Sequence, residues 1–168
     1  MAYEVPGMKL IPQQKSWSCW YASARMLINW RMEQSQMSFA NLVPPELDKQ
    51  CSKLRDDNKG ITNPQIIAMA KRLGLVAVPP MSPTPEAIEG WLVDYGPLWV
   101  NGKTHIVVIA GIRPAGSGHS VKVYDPSPMN IGKINWRSLA GWYAMGSSVS
   151  TRDTSASVQT VFLHCPKV

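Results

Sequence analysis

The sequence predicts an α+β fold, with a long N-terminal helix packed on an antiparallel sheet, in one domain spanning residues 1–168. Three observations carry this. Apolar residues recur at helical spacing through the first half of the chain; after Gly96 the character changes to short runs rich in β-branched and aromatic residues; and Gly, Pro, Asn and Ser separate those runs closely enough for consecutive strands to pair directly. At 168 residues the chain is of ordinary single-domain length, and no internal repeat or linker divides it.

The elements follow in order. Pro6 to Lys15 reads as a loop leading into a helix that opens at Cys19 and runs to about Glu33, with Cys19, Ala22, Met26, Leu27 and Trp30 at helical spacing and Ser16 or Ser18 available as cap. Phe39 to Gly60, with Pro44-Pro45 and a polar run from Lys53 to Lys59, reads as irregular with one short helix around Glu46 to Leu54. Asn63-Pro64 starts the next helix, with Asn63 as cap and Ile66, Ile67, Ala70 and Leu73 as its apolar stripe, ending at Gly74. Thr84-Pro85 repeats the signal for a helix to about Asp94, stopped by Gly96-Pro97. Strands are predicted at Leu98–Val100, Thr104–Ile112, Val121–Tyr124 and Val158–Leu163, and the Ser/Thr-rich stretch Gly146–Ser157 as an exposed loop.

Composition narrows the function. Hydrophobic residues at 45% and charged residues at 17% describe a soluble globule, the longest apolar stretch (Ile106 to Ile112) is too short to cross a bilayer, and Met1 to Leu10 lacks the features of a secretory signal peptide. The formal charge of +6 comes from scattered lysines and arginines, which argues against a nucleic-acid surface. Cys19, Cys51 and Cys165 form neither a disulfide framework nor a metal-ligand cluster, so reduced thiols, no metal and no cofactor are expected.

The chemistry concentrates elsewhere. Cys19 opens a helix, where unpaired amides and the positive end of the dipole stabilise a thiolate; the competing reading is a buried structural thiol. His105 precedes the most apolar strand. A hairpin of Ile106–Ile112 with Ser120–Tyr124, turning near Gly116–Gly118, returns Asp125 to within a residue or two of it, and a carboxylate there fixes the imidazole's tautomer and orientation. Asp125 also opens a strong turn sequence, Asp-Pro-Ser-Pro, and could simply cap it. Gln13, six residues before Cys19, is placed to donate to a developing oxyanion beside the Cys19 amide, with Gln14 its adjacent competitor. Trp17 and Trp20 flank the nucleophile and are candidate walls of a substrate cleft, whereas His119, in the predicted turn, and the His164-Cys165 pair are not expected to form a site.

The segments Gln13-Gln14-Lys15-Ser16-Trp17-Ser18-Cys19-Trp20-Tyr21-Ala22, Thr104-His105-Ile106-Val107-Val108 and Tyr124-Asp125-Pro126 resemble the papain-like cysteine peptidases, matching the family's Gln, Cys, His, Asp order over positions 13 to 126. The chain is most similar to the compact bacterial branch: double-glycine leader peptidases, the avirulence cysteine protease of plant pathogens and papain-like interbacterial toxins. It departs from the plant-type enzymes in spacing, with His105 only 86 residues (105 minus 19) beyond Cys19 instead of roughly 130 to 150, so their substrate pockets do not transfer. The resemblance implies a papain-like fold and a cysteine endopeptidase with Cys19 as nucleophile, His105 as base, Asp125 as orienting group and Gln13 in the oxyanion hole. It further implies a secreted bacterial effector or toxin, delivered by a secretion system, that cuts a protein in the target-cell cytoplasm, with Gly-Gly before the cut and a cognate immunity or inhibitor protein as partner. The same groups would serve a cysteine amidase or deamidase on cell-wall peptide or protein side chains, and a non-catalytic peptide-binding relative would share the fold.

Overall fold

The computed structural model describes residues 1–34, 41–78, 83–101, 105–139 and 161–167. Among the described residues, the α-helices α1 (Cys19–Gln34), α2 (Lys49–Asp56), α3 (Asn63–Leu73) and α4 (Pro85–Tyr95) accompany the strands β1 (Tyr3–Glu4), β2 (Val76–Val78), β3 (Leu98–Asn101), β4 (Ile106–Ala115), β5 (Gly118–Asp125), β6 (Lys133–Ser138) and β7 (Phe162–His164). The strands form one sheet in the order β2-β7-β3-β4-β5-β6, every pairing antiparallel, with β1 added alongside β4. This is the α+β arrangement expected from the sequence.

α1 is the central helix. From Trp20 to Ile28 every residue but Arg25 is buried, an apolar surface nearly all round that suits a helix enclosed by other elements. It packs on β3 and β4, and two polar contacts fix its height on the sheet: Ser23 Oγ donates to the Ile106 carbonyl at 3.4 Å, and Trp99 Nε1 donates to the Trp20 carbonyl at 3.1 Å. Ser18 holds the cap position of this helix, but neither predicted serine turns its hydroxyl onto the first-turn amides among the bonds of the described residues. Ser18 Oγ is paired with the backbone of Lys15, accepting from its N–H and donating to its C=O, and Ser16 Oγ accepts from Asn58 Nδ2. The first intrahelical bond of α1 is that from the Ala22 amide to the Ser18 carbonyl.

The remaining helices follow their predicted signals with small shifts. α3 is capped one residue earlier than expected: Thr62 Oγ1 accepts from the Gln65 amide and Gln65 Oε1 accepts from the Thr62 amide, a reciprocal box that outcompetes Asn63. Its buried stripe is Ile66, Met69, Ala70 and Leu73, so Met69 replaces the predicted Ile67, which is exposed. α4 begins as expected behind Thr84, whose hydroxyl accepts from the Ala87 amide. In the irregular region, Asp48 caps α2 through the Cys51 amide, and a single 3₁₀ turn at Pro45–Leu47 precedes it.

Three strands were not expected: the short β1 and β2, and β6, an edge strand with mostly exposed side chains. His119 belongs to β5, opposite Pro114, and not to a turn, because the β4–β5 hairpin is longer than predicted and turns at Gly116. The predicted strand Val158–Leu163 is described only from residue 161 onward, and Thr104 and the predicted loop Gly146–Ser157 lie outside the described residues.

Candidate active site

The site forms where three elements end. Cys19 is the first residue of α1, His105 immediately precedes β4, and Asp125 is the last residue of β5. The β4–β5 pairing, with Val108 opposite Tyr124, brings the His105 and Asp125 ends of the hairpin together, and the Ser23–Ile106 bond holds the start of β4 against α1 one turn beyond Cys19. Ser23 is a contributor that helical periodicity does not single out, since a serine in an apolar helix carries no signal until its acceptor is known.

His105 Nε2 lies 2.5 Å from Asp125 Oδ1, and the Cys19 thiol is the ring's other neighbour, close enough to act on its protonation. With Nε2 taken by Asp125, Nδ1 is the nitrogen left for Cys19. The His105 side chain is 32% exposed and that of Asp125 only 4%, so the carboxylate is sheltered while the ring reaches the surface. Burial by itself would make the imidazole harder to protonate. The bond that His105 donates to Asp125, with the influence of the neighbouring Cys19 sulfur, outweighs it and raises the His105 pKa to about 9.

Asp125 is held by more than the histidine. Its Oδ1 also accepts from the Ser127 amide at 2.9 Å, and Oδ2 accepts from Arg137 Nη2 at 3.0 Å, with Lys133 Nζ 4.0 Å away. Burial pushes the carboxyl pKa up, but the bonds from His105 and Ser127 and the cationic charge of His105 and Arg137 leave it below its ordinary value. The Asp-Pro-Ser-Pro turn and the histidine therefore share one carboxylate, which joins the two readings that the sequence left open. Ser127 and Arg137 are additions to the predicted set.

Gln13 is buried, at 4% exposed, beside this group. Its backbone is tied to the segment following Asp125, the Gln13 amide donating to the Pro126 carbonyl at 2.9 Å and its carbonyl accepting from the Asn130 amide at 2.8 Å. In the side chain, Nε2 donates to the carbonyls of Lys15 at 2.8 Å and Ser16 at 3.1 Å, and Oε1 has no partner among the described residues. Both amide hydrogens are thus turned onto the loop that leads to Cys19. The Cys19 backbone amide makes no hydrogen bond among the described residues.

The two flanking tryptophans separate. Trp17 is 59% exposed on the surface beside the nucleophile, with its amide on Asn58 Oδ1, but Trp20 is 1% exposed and belongs to the core. Its indole donates to the Lys59 carbonyl and packs edge-on against Tyr21, and the groove it helps line among the described residues runs past Cys51, Leu54 and Ile61, not past Cys19. The other cysteines differ sharply from Cys19. Burial pushes the Cys51 thiol up to about 12, assisted by Asp48, and burial likewise raises Cys165 to about 12, whereas Cys19 alone of the three is only half-buried. His164 is buried, stacked on Tyr95 at 3.9 Å, with Nδ1 on the Cys165 carbonyl. Among the described residues, no group of three or more His, Cys, Asp or Glu side chains gathers to hold a metal.

Residues 1–144 match the family model described as papain-like cysteine protease AvrRpt2. The chain belongs to this AvrRpt2 family of papain-like cysteine proteases. Its fold is similar to that of UfSP from C. elegans, with a TM-score of 0.60 and 12% sequence identity, a likeness that concerns the fold alone. The alignment covers 99% of this chain but 34% of that one, so the AvrRpt2-family chain spans about a third of the length of that neighbour. A search of curated protein sequences finds no match.

Proposed function

We propose that the protein is a cysteine endopeptidase in which Cys19 is the nucleophile, His105 the general base and acid, and Asp125 the orienting group. The observation that carries this is the His105 imidazole held on the sheltered Asp125 carboxylate, with Cys19 beside it as the first residue of α1. The Cys19 proton passes to His105 Nδ1, and the sulfur attacks the carbonyl carbon of the scissile peptide. The carbonyl oxygen takes up the electron pair as an oxyanion. Its collapse expels the amine, which leaves with the proton from the imidazolium, and a thioester remains on Cys19. Water, deprotonated by His105, then attacks the thioester, releases the acid product and restores the thiol.

The Cys19 amide is the first oxyanion donor in this scheme. Gln13 is the second, and it serves by turning one Nε2 hydrogen away from the Ser16 carbonyl, the longer of its two bonds. Trp17, exposed beside the nucleophile, is a contact for substrate.

At the level of biology, the family supports a bacterial secreted effector or toxin that acts in the cytoplasm of a target cell, and the reading takes residues 1–168 as one peptidase domain, of which the family match covers 1–144. Among the described residues no helix is long and apolar enough to cross a membrane. Cleavage after a Gly-Gly pair and inhibition by a cognate immunity protein belong to the same reading, glycine being favoured where the substrate backbone must approach closely. The test is profiling of new N-termini in a bacterial lysate and a plant lysate, each incubated with the wild type or Cys19→Ala. New termini that appear only with the wild type and follow glycine pairs are expected; identical termini with both proteins would remove the proteolytic reading.

A further inference from the structure

Resting on the assignment of His105 and Asp125 above, we propose that Arg137 is a positioning residue of the site, pinning the outer oxygen of Asp125 and limiting how strongly that carboxylate can hold the protonated imidazole.

The geometry is that of a chain of contacts through four elements. Cys19 at the start of α1 meets His105 before β4, His105 meets Asp125 Oδ1 at the end of β5, and Asp125 Oδ2 meets Arg137 Nη2 on β6. Arg137 is opposite Val121 in the sheet, four positions from Asp125, and its side chain is led there by a bond from Nε to Asn135 Oδ1 at 3.1 Å. A guanidinium fixed at one nitrogen and donating from another holds its partner in direction as well as distance. Lys133, directly opposite Asp125, is the alternative cation, but it is 4.0 Å away with a side chain 52% exposed, against 3.0 Å and 31% for Arg137. Among the described residues, the charged and titratable groups facing the His105–Asp125 pair are Cys19 from α1 and Arg137 and Lys133 from β6.

The chemistry needs such a restraint. A buried carboxylate with one free oxygen rotates and leaves that oxygen unsatisfied, which is costly at 4% exposure. It also binds an imidazolium more tightly, and a very stable imidazolium is a poor acid for the leaving amine. A cation on the far oxygen draws negative charge away from the histidine and keeps the proton transferable.

The test is a titration of ¹⁵N-labelled imidazole by NMR in the wild type, Arg137→Gln and Arg137→Lys, with Cys19→Ala as reference. Removing a cation favours every protonated form nearby, so Arg137→Gln is expected to raise the His105 midpoint by about half a pH unit or more, while Arg137→Lys keeps it near the wild-type value. Should Arg137→Gln fail to fold, Asn135→Ala, which keeps the charge but removes the acceptor that aims the guanidinium at Asp125, is expected to shift the midpoint the same way by less. A midpoint unmoved in the folded Gln variant, or moved equally in Gln and Lys, would overturn the proposal, even if thermal stability falls. Failure of the underlying assignment has a separate signature: a His105 midpoint that does not drop in Cys19→Ala shows that thiol and imidazole are not paired, whatever Arg137 does.

Discussion

Asp125 carries more of the site than its place in the sequence suggests, because one buried carboxylate receives the His105 ring, the Ser127 amide and the Arg137 guanidinium. The electrostatic consequence falls on His105. Its pKa of about 9 lies above the ordinary 6.5, so the stability it contributes is fully present below about pH 6.5 and is lost as pH rises through about 9. Asp125, held below the ordinary carboxylate value, contributes stability at higher pH that is lost as the solution is acidified. If turnover needs the protonated ring to discharge the leaving amine, kcat/KM falls on the alkaline side with an apparent midpoint near 9. In Asp125→Asn that limb moves to lower pH, because the charge and bond that raise it are lost, and activity drops by roughly ten- to a hundred-fold, less than in Cys19→Ala or His105→Ala. A pH–rate series on the two proteins checks it; an unmoved limb would separate Asp125 from the titration.

At the scale of elements, the site depends on two junctions: the helix start at Cys19 and the turn between β5 and β6. The second junction ties Asp125 to Gln13. The Gln13 amide is on Pro126, the Asn130 amide is on Gln13, and both Asn130 and Gly132 have positive φ (63° and 66°) to make the reversal. At Gly132 a Cβ would stand 3.0 Å from the Asp125 carbonyl oxygen and 2.9 Å from Leu10 Cδ2, as well as occupying the left-handed region. Gly132→Ala should therefore cost about 1–3 kcal/mol and lower activity by moving Asp125 and Gln13 together. Urea unfolding and rate measurements on one preparation check this, and a neutral effect on both would show that the turn gives way without disturbing the site. This junction was only partly legible in the sequence. Asp-Pro-Ser-Pro announces a turn, but β6 has just two apolar residues, Ile134 and Trp136, and it is an edge strand whose side chains are largely exposed. With β6 unrecognised, Arg137 had no reason to be placed at Asp125. The first junction reads differently: the Cys19 helix and the hairpin bringing Asp125 to His105 rest on strong local periodicity and turn signals, and these elements form within two or three residues of their expected limits. Trp20 was misplaced because apolar residues beside a nucleophile suit a cleft and a core equally, and only its burial decides for the core.

On the scale of the whole molecule, one helix enclosed by the fold sets the cysteine against a sheet whose middle hairpin presents histidine and carboxylate. The three cysteines illustrate how position decides chemistry. Cys51 and Cys165 are sealed in the interior, where burial suppresses their ionisation, and Cys19 sits half-buried at the mouth of α1 with an imidazole on its sulfur. One reactive thiol is therefore expected, made reactive by one histidine. The most direct measurement is the rate of iodoacetamide alkylation at each cysteine, followed by mass spectrometry at pH 6 in the wild type and His105→Ala, with circular dichroism verifying that both are folded. Rapid modification of Cys19 alone in the wild type, slowed by about a hundredfold or more in His105→Ala, is the predicted result. Cys19 alkylated at the same rate in both proteins would contradict the claim that His105 activates it.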